Sequence, residues 1–200
     1  MSLSAKALAT RESILNAANE LFYLNGYNAT GIDKVIKVAE VTKGNFYYHF
    51  KSKEALAIAS LDWHYEITAK QIQDNVLSKN LSSLDTLLSL LDLMANRQKD
   101  QHKNGHICGC YFGNFTLELS TASDQVRNKL KSIFDHYLQT IEMLLSQARL
   151  TGEVPQHIDP IAISAVILSQ LEGAILLDKA NQKPYSVDNS IKFIKQYLSV

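Results

Sequence analysis

Proline is nearly missing. The 200 residues hold three, Pro155, Pro160 and Pro184, and the first 154 positions hold none. Proline breaks helix interiors, so its absence leaves most of the chain free to form long helices that other signals must end. Glycine is scarce as well, at eight residues, and the two shortages exclude a collagen-like or low-complexity chain. Cysteine occurs only as Cys108 and Cys110. Positions two apart rarely bridge, so there is no disulfide framework, and the chain suits a reducing cytoplasm. No charge of one sign dominates, because twenty Lys+Arg meet twenty Asp+Glu. With 46% hydrophobic and 20% charged residues, the composition excludes a disordered polyelectrolyte. Met1 to Ala9 lacks the apolar run of a secretory signal. The most hydrophobic stretch, Ile161 to Leu177, is interrupted by Ser164, Ser169, Gln170 and Glu172 and reads as short of a membrane span. The expectation is a soluble, cytoplasmic protein with no membrane partner.

What is present is helical periodicity. Ile14, Leu15, Ala18, Leu21 and Phe22 share one helix face, with Thr10 expected as N-cap and Asn25-Gly26 as the stop. Thr30-Gly31-Ile32-Asp33 resembles a capping box that opens a short helix, and Ala39 to Val41 breaks it. Thr42 is expected to cap a second short helix and Ser52 a longer one. Val126, Leu130, Ile133, Tyr137, Ile141, Leu144 and Ala148 form a stripe on a long helix. Asp159-Pro160 reads as N-cap and first helical position of a helix apolar nearly all round, and Val187, Ile191, Ile194 and Leu198 stripe the last one. No strand-like alternation of useful length interrupts this. The fold class expected is all-α with about nine helices.

Residues 30–54 carry the most information. Two helices of about two turns each are too short to be stable alone, because helix nucleation is costly. They must be held by Ile32, Val35, Ile36, Ala39, Val41 and Phe46. The second is left with Thr42, Lys43, Asn45, Tyr47, Tyr48 and His49, a dense set of hydrogen-bonding side chains. That is the layout of a helix-turn-helix reader. Local charge agrees. Residues 1–53 hold seven bases (Lys6, Arg11, Lys34, Lys37, Lys43, Lys51, Lys53) against four acids (Glu12, Glu20, Asp33, Glu40), a surplus of three bases. The totals are equal, so the remainder carries a surplus of three acids. A basic head neutralises phosphates, more so when doubled in a dimer.

Val38 to Phe50 (VAEVTKGNFYYHF), followed by Lys51-Ser52-Lys53-Glu54, resembles the signature of the tetracycline-repressor (TetR) family of bacterial regulators. The resemblance covers about residues 10–56. It implies a homodimeric transcriptional repressor with a DNA-binding domain over residues 1–53 and a ligand-binding and dimerisation domain over 54–200. Its partners would be a pseudo-palindromic double-stranded operator and a small-molecule effector or electrophile. Combined with side-chain chemistry, it assigns DNA contacts to Thr42 and Lys43 at the helix start, Asn45 with its amide, and Tyr47, Tyr48 and His49. Gly44 would let the backbone approach, and Lys53 would hold a phosphate. Thr30 would cap the preceding helix, whose N-terminus also suits phosphate.

The sensing half is less defined. Aromatic candidates for a pocket are Trp63, His64, Tyr65, Tyr111, Phe112, Phe115 and Tyr137, though aromatics at helical spacing are more often core. The stretch Asn104 to Phe115 holds three glycines, both cysteines, His106 and Asn114. Its Gly-Cys helix start, followed by Leu117-Glu118-Leu119-Ser120, resembles a branch of the family that senses electrophiles and oxidants through cysteine. Cys110 matches the position, and Cys108 is an addition. A thiol at a helix N-terminus beside His106 or a lysine would react faster as thiolate. The alternatives left open are non-covalent ligand sensing, two inert buried cysteines, and a metal-responsive regulator using His102, His106, Cys108 and Cys110. Glu172 lies in an apolar helix and needs a partner, either a ligand or a second subunit. The last two helices carry more apolar surface than one subunit buries, so a homodimer through about residues 159–198 is expected.

Two other classes compete. A helical protein-interaction module without DNA binding would share the helices but not the need for exposed Tyr48 and Lys53. An enzyme would need a phosphate loop, a nucleophile elbow or an acid–base pair, and none stands at a convincing spacing. No cofactor is expected.

Overall fold

The computed structural model describes residues 4–199; Met1 to Leu3, part of the stretch read for a signal, and Val200 lie outside the described residues. Among the described residues there are nine α-helices and no strand, so the class is all-α. They are α1 (Ala5–Asn25), α2 (Ile32–Val38), α3 (Lys43–His49), α4 (Lys53–Asn75), α5 (Ser83–Lys103), α6 (Tyr111–Leu119), α7 (Asp124–Leu150), α8 (Pro160–Asn181) and α9 (Ser186–Leu198). Two compact units divide the chain: residues 4–68 with 111–131, and residues 69–110 with 132–199.

In the first unit, α1 supplies the inner wall through Ile14, Leu15, Ala18, Leu21 and Phe22. Val35 of α2, Phe46 of α3 and Phe50 are buried with it, which is why two seven-residue helices persist. The ends of these helices have local causes. Ser4, not Thr10, is the N-cap of α1; Thr10 lies inside the helix and its hydroxyl donates to the Lys6 carbonyl at 3.0 Å. The α2 helix closes by a Schellman arrangement. Val41 N–H reaches the Ile36 carbonyl at 3.2 Å, Glu40 N–H reaches Lys37 at 3.3 Å, and Glu40 sits left-handed at φ 54. A non-glycine residue there fits a turn whose geometry the flanking helices impose. Thr42 caps α3 through Asn45 N–H at 3.2 Å and Ser52 caps α4 through Ala55 N–H at 3.0 Å, as the sequence predicts.

In the second unit, α5, α8 and α9 enclose a core that includes Leu87, Leu91, Leu145, Ile167, Leu171, Ile191 and Ile194. Asp159 caps α8 through Ile161 and Ala162 N–H. The α8 helix corrects the expectation about its length. Its 22 residues, with a mean hydropathy of 1.8 in the most apolar window, meet the size and composition of a membrane span, and 39% of that window is buried. The inner face belongs to the core, and the outer face exposes Ile161, Val166, Leu176 and Leu177.

Candidate nucleic-acid interface and sensing residues

The α3 helix has one buried side chain, Phe46, with no exposed surface at all. Everything else faces outward. Thr42, Lys43, Gly44, Asn45, Tyr47 and Tyr48 are exposed and His49 is half-buried. Gly44 is informative because nothing inside requires it: a Cβ there would meet only the Thr42 hydroxyl, at 3.9 Å. Glycine in a helix interior costs about 0.5–1 kcal/mol against alanine, and at Gly44 it leaves the backbone of α3 open to the outside. Lys43 pairs with Asp33 at 3.5 Å, but both are largely solvated and the pair is weak enough to be exchanged for a phosphate. Burial first, then the nearby Arg11 cation, hold the His49 pKa below the ordinary imidazole value. Arg11 itself lies over the Phe50 ring at 5.2 Å.

Lys53, at the first turn of α4, is pre-positioned. Its ammonium lies 4.1 Å from the Tyr27 ring centroid and donates to the Asn28 carbonyl at 3.4 Å. Burial pulls its pKa below the ordinary lysine value, and Glu118 opposes that.

Thr30 is a correction. Gly31, not Thr30, is the N-cap of α2, and no side chain caps that helix. The Thr30 side chain is fully buried and shares its hydroxyl proton between the carbonyls of Gly26 (2.8 Å) and Leu21 (3.2 Å). It ties the turn down and does not face outward. Thr30→Val is therefore expected to cost about 1–2 kcal/mol of stability while leaving operator affinity unchanged below the melting range. Chemical denaturation beside gel retardation checks this, and lost affinity at unchanged stability would return Thr30 to the interface.

The sensing candidates fall into two groups. In the first unit, His64 stacks on Tyr111 at 4.0 Å and 10°, Phe112 meets His64 edge-on at 5.4 Å, and Tyr23 packs on both His64 and Tyr111. Tyr111 is buried with its hydroxyl 2.7 Å from that of Ser60, and burial raises its pKa far above the usual phenol. Trp63 Nε1 donates to Asn16 Oδ1 at 3.2 Å, Tyr65 and Asn114 are half-buried, and Phe115 packs on Phe22. Here the aromatics are packed against one another.

In the second unit, Cys108 is buried and Cys110 half-buried. Burial pushes the Cys108 thiol up, against a smaller lowering by Lys179, which is the opposite of thiolate activation. Cys110 immediately precedes α6 and hydrogen-bonds Glu172, the partner that this carboxyl needed. Two glutamines that sequence reading missed hold the segment: Gln101 Oε1 accepts from Cys108 N–H at 2.6 Å, and Gln182 brackets Ile107 through its N–H and its carbonyl. His106 is exposed and Tyr137 lies at the edge of the core. Among the described residues no three His, Cys, Asp or Glu gather as metal ligands, so His102, His106, Cys108 and Cys110 do not form a metal set.

Burial raises the Glu172 pKa above its ordinary 4.5, and the Cys110 hydrogen bond partly opposes this. The folded protein thus binds that proton more tightly than the unfolded chain. Stability is lost as pH climbs from the ordinary value through the raised one. Glu172→Gln should flatten this slope and melt later than wild type at the alkaline end, as read by thermal melts between about pH 5 and pH 8. Parallel curves for the two proteins would contradict the assignment.

A short helix with one buried aromatic and an outer face of hydrogen-bonding side chains, presented by a Schellman turn, defines a helix-turn-helix DNA-binding regulator. Comparison with known proteins agrees. The model of bacterial regulatory proteins of the tetR family matches residues 14–59, and that of the tetracyclin repressor-like C-terminal domain matches residues 83–194. The chain is 31% identical, over 93% of its length and 91% of the other, to an uncharacterized HTH-type transcriptional regulator in the lacX 3' region of Lactococcus lactis. It is 43% identical to the HTH-type transcriptional regulator QacR of Staphylococcus aureus over 82% of this chain and 84% of that protein. The crystal structure of the reduced form of Escherichia coli NemR, an HTH-type transcriptional repressor, superposes with a TM-score of 0.85 at 26% identity, over 95% of this chain and 97% of that one. The chain belongs to the tetR family of bacterial regulatory proteins. It is a ligand-responsive DNA-binding transcriptional regulator and not an enzyme. Regulators of this family are soluble, bind operator DNA and small-molecule effectors, and act as dimers.

Proposed function

We propose that this regulator is a cytoplasmic repressor that grips a pseudo-palindromic operator as a homodimer and lets go when a small molecule binds or Cys110 is modified. The observation that carries the DNA half is the outer face of α3, where Thr42, Lys43, Gly44, Asn45, Tyr47 and Tyr48 are exposed around one buried anchor. Thr42, Lys43 and Asn45 meet base edges or phosphates at the helix start. Lys53 and one of Tyr47 and Tyr48 hold phosphates, the tyrosine rings suit thymine methyls, and His49 borders the contact. Residues 1–53 form the DNA-binding domain and residues 54–200 the ligand-binding and dimerisation domain.

Dimerisation runs through residues 159–198. The outer face of α8 and the flank of α9 expose Ile161, Val166, Leu176, Leu177, Phe193 and Tyr197, too much apolar surface to leave in water. A two-fold axis covers such a patch with itself. The candidate effector contacts are Trp63, His64, His106, Cys108, Cys110, Tyr111, Phe112, Asn114, Tyr137 and Glu172. Cys110 leads them as a thiol because it is partly accessible and immediately precedes the N-terminus of α6. Similarity to a repressor crystallised in a reduced form supports that choice.

Gel retardation of DNA flanking the chain's own gene tests the reading. Binding should fall by about 10³–10⁵ between roughly 50 and 200 mM salt if six to ten phosphates are contacted. No retardation at low salt contradicts it. N-ethylmaleimide should release wild type and spare Cys110→Ser; equal release of both makes the thiol structural.

A further inference from the structure

Glu118 has no part in the DNA contacts or the sensing residues, yet it joins the helix that follows Cys110 to the DNA-binding head. Its carboxylate accepts from Tyr27 N–H at 2.9 Å through Oε1 and from Asn28 N–H at 2.7 Å through Oε2. Both amides belong to the turn between α1 and α2. That turn is shaped to admit it. Gly26 sits at φ 84, and a Cβ there would stand 2.8 Å from Glu118 Oε1. The same turn carries the Lys53 ammonium, on the Tyr27 ring and the Asn28 carbonyl. Tyr111, Phe115 and Glu118 stand at i, i+4 and i+7, one stripe of α6. Tyr111 reaches Ser60 of α4, Phe115 reaches Phe22 and Tyr27, and Glu118 holds the turn. Cys110 is bonded to Tyr111, so the first residue of this stripe is the next link after the thiol.

We propose that Glu118 is the positioning residue through which α6 and the DNA-binding head report on each other. A helix shift of about 1–2 Å carries the carboxylate out of reach of the two amides and frees the turn that holds Lys53. Operator binding fixes the same turn from the other side. Coupling between two sites is reciprocal, so DNA bound at α3 must also steady α6. The inference rests on the operator-binding reading above.

Amide hydrogen exchange of the full-length protein, free and saturated with an operator selected by wild type from random DNA, tests it. In wild type, operator should slow exchange over residues 43–49 and also over 111–119, the latter by about fivefold or more. In Glu118→Gln, which keeps the shape and loses the charge-assisted pair, saturating operator should still protect 43–49 while the effect on 111–119 falls below about twofold. Glu118→Asp, charged but one methylene short, serves if Glu118→Gln melts too low. Protection of 111–119 persisting in these variants overturns the proposal, because the carboxylate would then be only structural. So does a wild type in which operator protects 43–49 and leaves 111–119 unchanged. Absence of protection at 43–49 in wild type overturns the operator reading itself, and this proposal with it.

Discussion

Tyr48→Ala and Lys53→Ala each lower operator affinity by about 30- to 10⁴-fold. The size follows from geometry and symmetry. A specific base or phosphate contact is worth about 1–3 kcal/mol, and a dimer makes each contact twice, so one substitution removes roughly 2–6 kcal/mol. The two variants differ in what else they lose. Tyr48 is 62% exposed and its ring meets His49 edge-on at 4.9 Å, so its truncation should shift stability by no more than about 0.5 kcal/mol. Lys53 also covers Tyr27, and its loss should cost about 0.5–1 kcal/mol of stability besides. Titration of labelled operator at fixed salt, with thermal melts in parallel, separates the two effects. A protein-interaction module would keep its partner binding in both variants, and operator affinity within threefold of wild type would place the interface elsewhere.

Asp178→Ala should loosen the packing of α9 on α8, the pair we propose dimerises. Asp178 has no exposed surface and sits near the end of α8. Its carboxylate accepts from Tyr185 N–H (3.1 Å), Ser186 N–H (2.6 Å) and Val187 N–H (3.2 Å). These are the N-cap amide and the first two amides of α9, whose own N-cap residue, Tyr185, gives no side-chain cap. One helix thus caps the next, and the carboxylate also meets the positive end of the α9 dipole. Alanine leaves the buried Val187 N–H and the half-buried Ser186 N–H without this acceptor, while Tyr185 N–H keeps the Lys183 carbonyl at 3.0 Å. A lost buried partner costs about 1–3 kcal/mol and a broken buried charge site about 3–5 kcal/mol, so a loss of roughly 3–5 kcal/mol is expected. With α9 no longer held on α8, dimer should give way to monomer at micromolar concentration. Denaturant titration and light scattering read both effects. Asp178→Asn, which keeps one acceptor oxygen, should fall between. A variant with the wild-type midpoint and mass would contradict this role.

These two residues show what sequence reading reaches. Helices with strong stripes, such as the one through Val126 and Ala148, and the caps Thr42, Ser52 and Asp159 are legible because their signals are local. The reader helix is legible because its exposed polar face leaves only Phe46 to bury. Asp178 and Glu118 are not, because their meaning lies in backbone amides 7–9 and 90–91 residues away. Thr30 misled for the same reason: its position before a helix suggests a cap, while its partners are the carbonyls of the preceding turn. Cys108 and Cys110 stand two residues apart, and only the structure shows that the first is buried and the second half-buried. The balanced charge of the whole chain hides a basic head, and only division of the sequence at the head reveals it.

Hydroxyl-radical footprinting of the dimer on its selected operator tests the central claim most directly. Two recognition helices of a symmetric dimer should give two matched protected half-sites on one face of the duplex, centres about 34–36 Å or a multiple apart, both lost in Tyr48→Ala. A single unpaired patch of protection, or protection that Tyr48→Ala leaves intact, would contradict it.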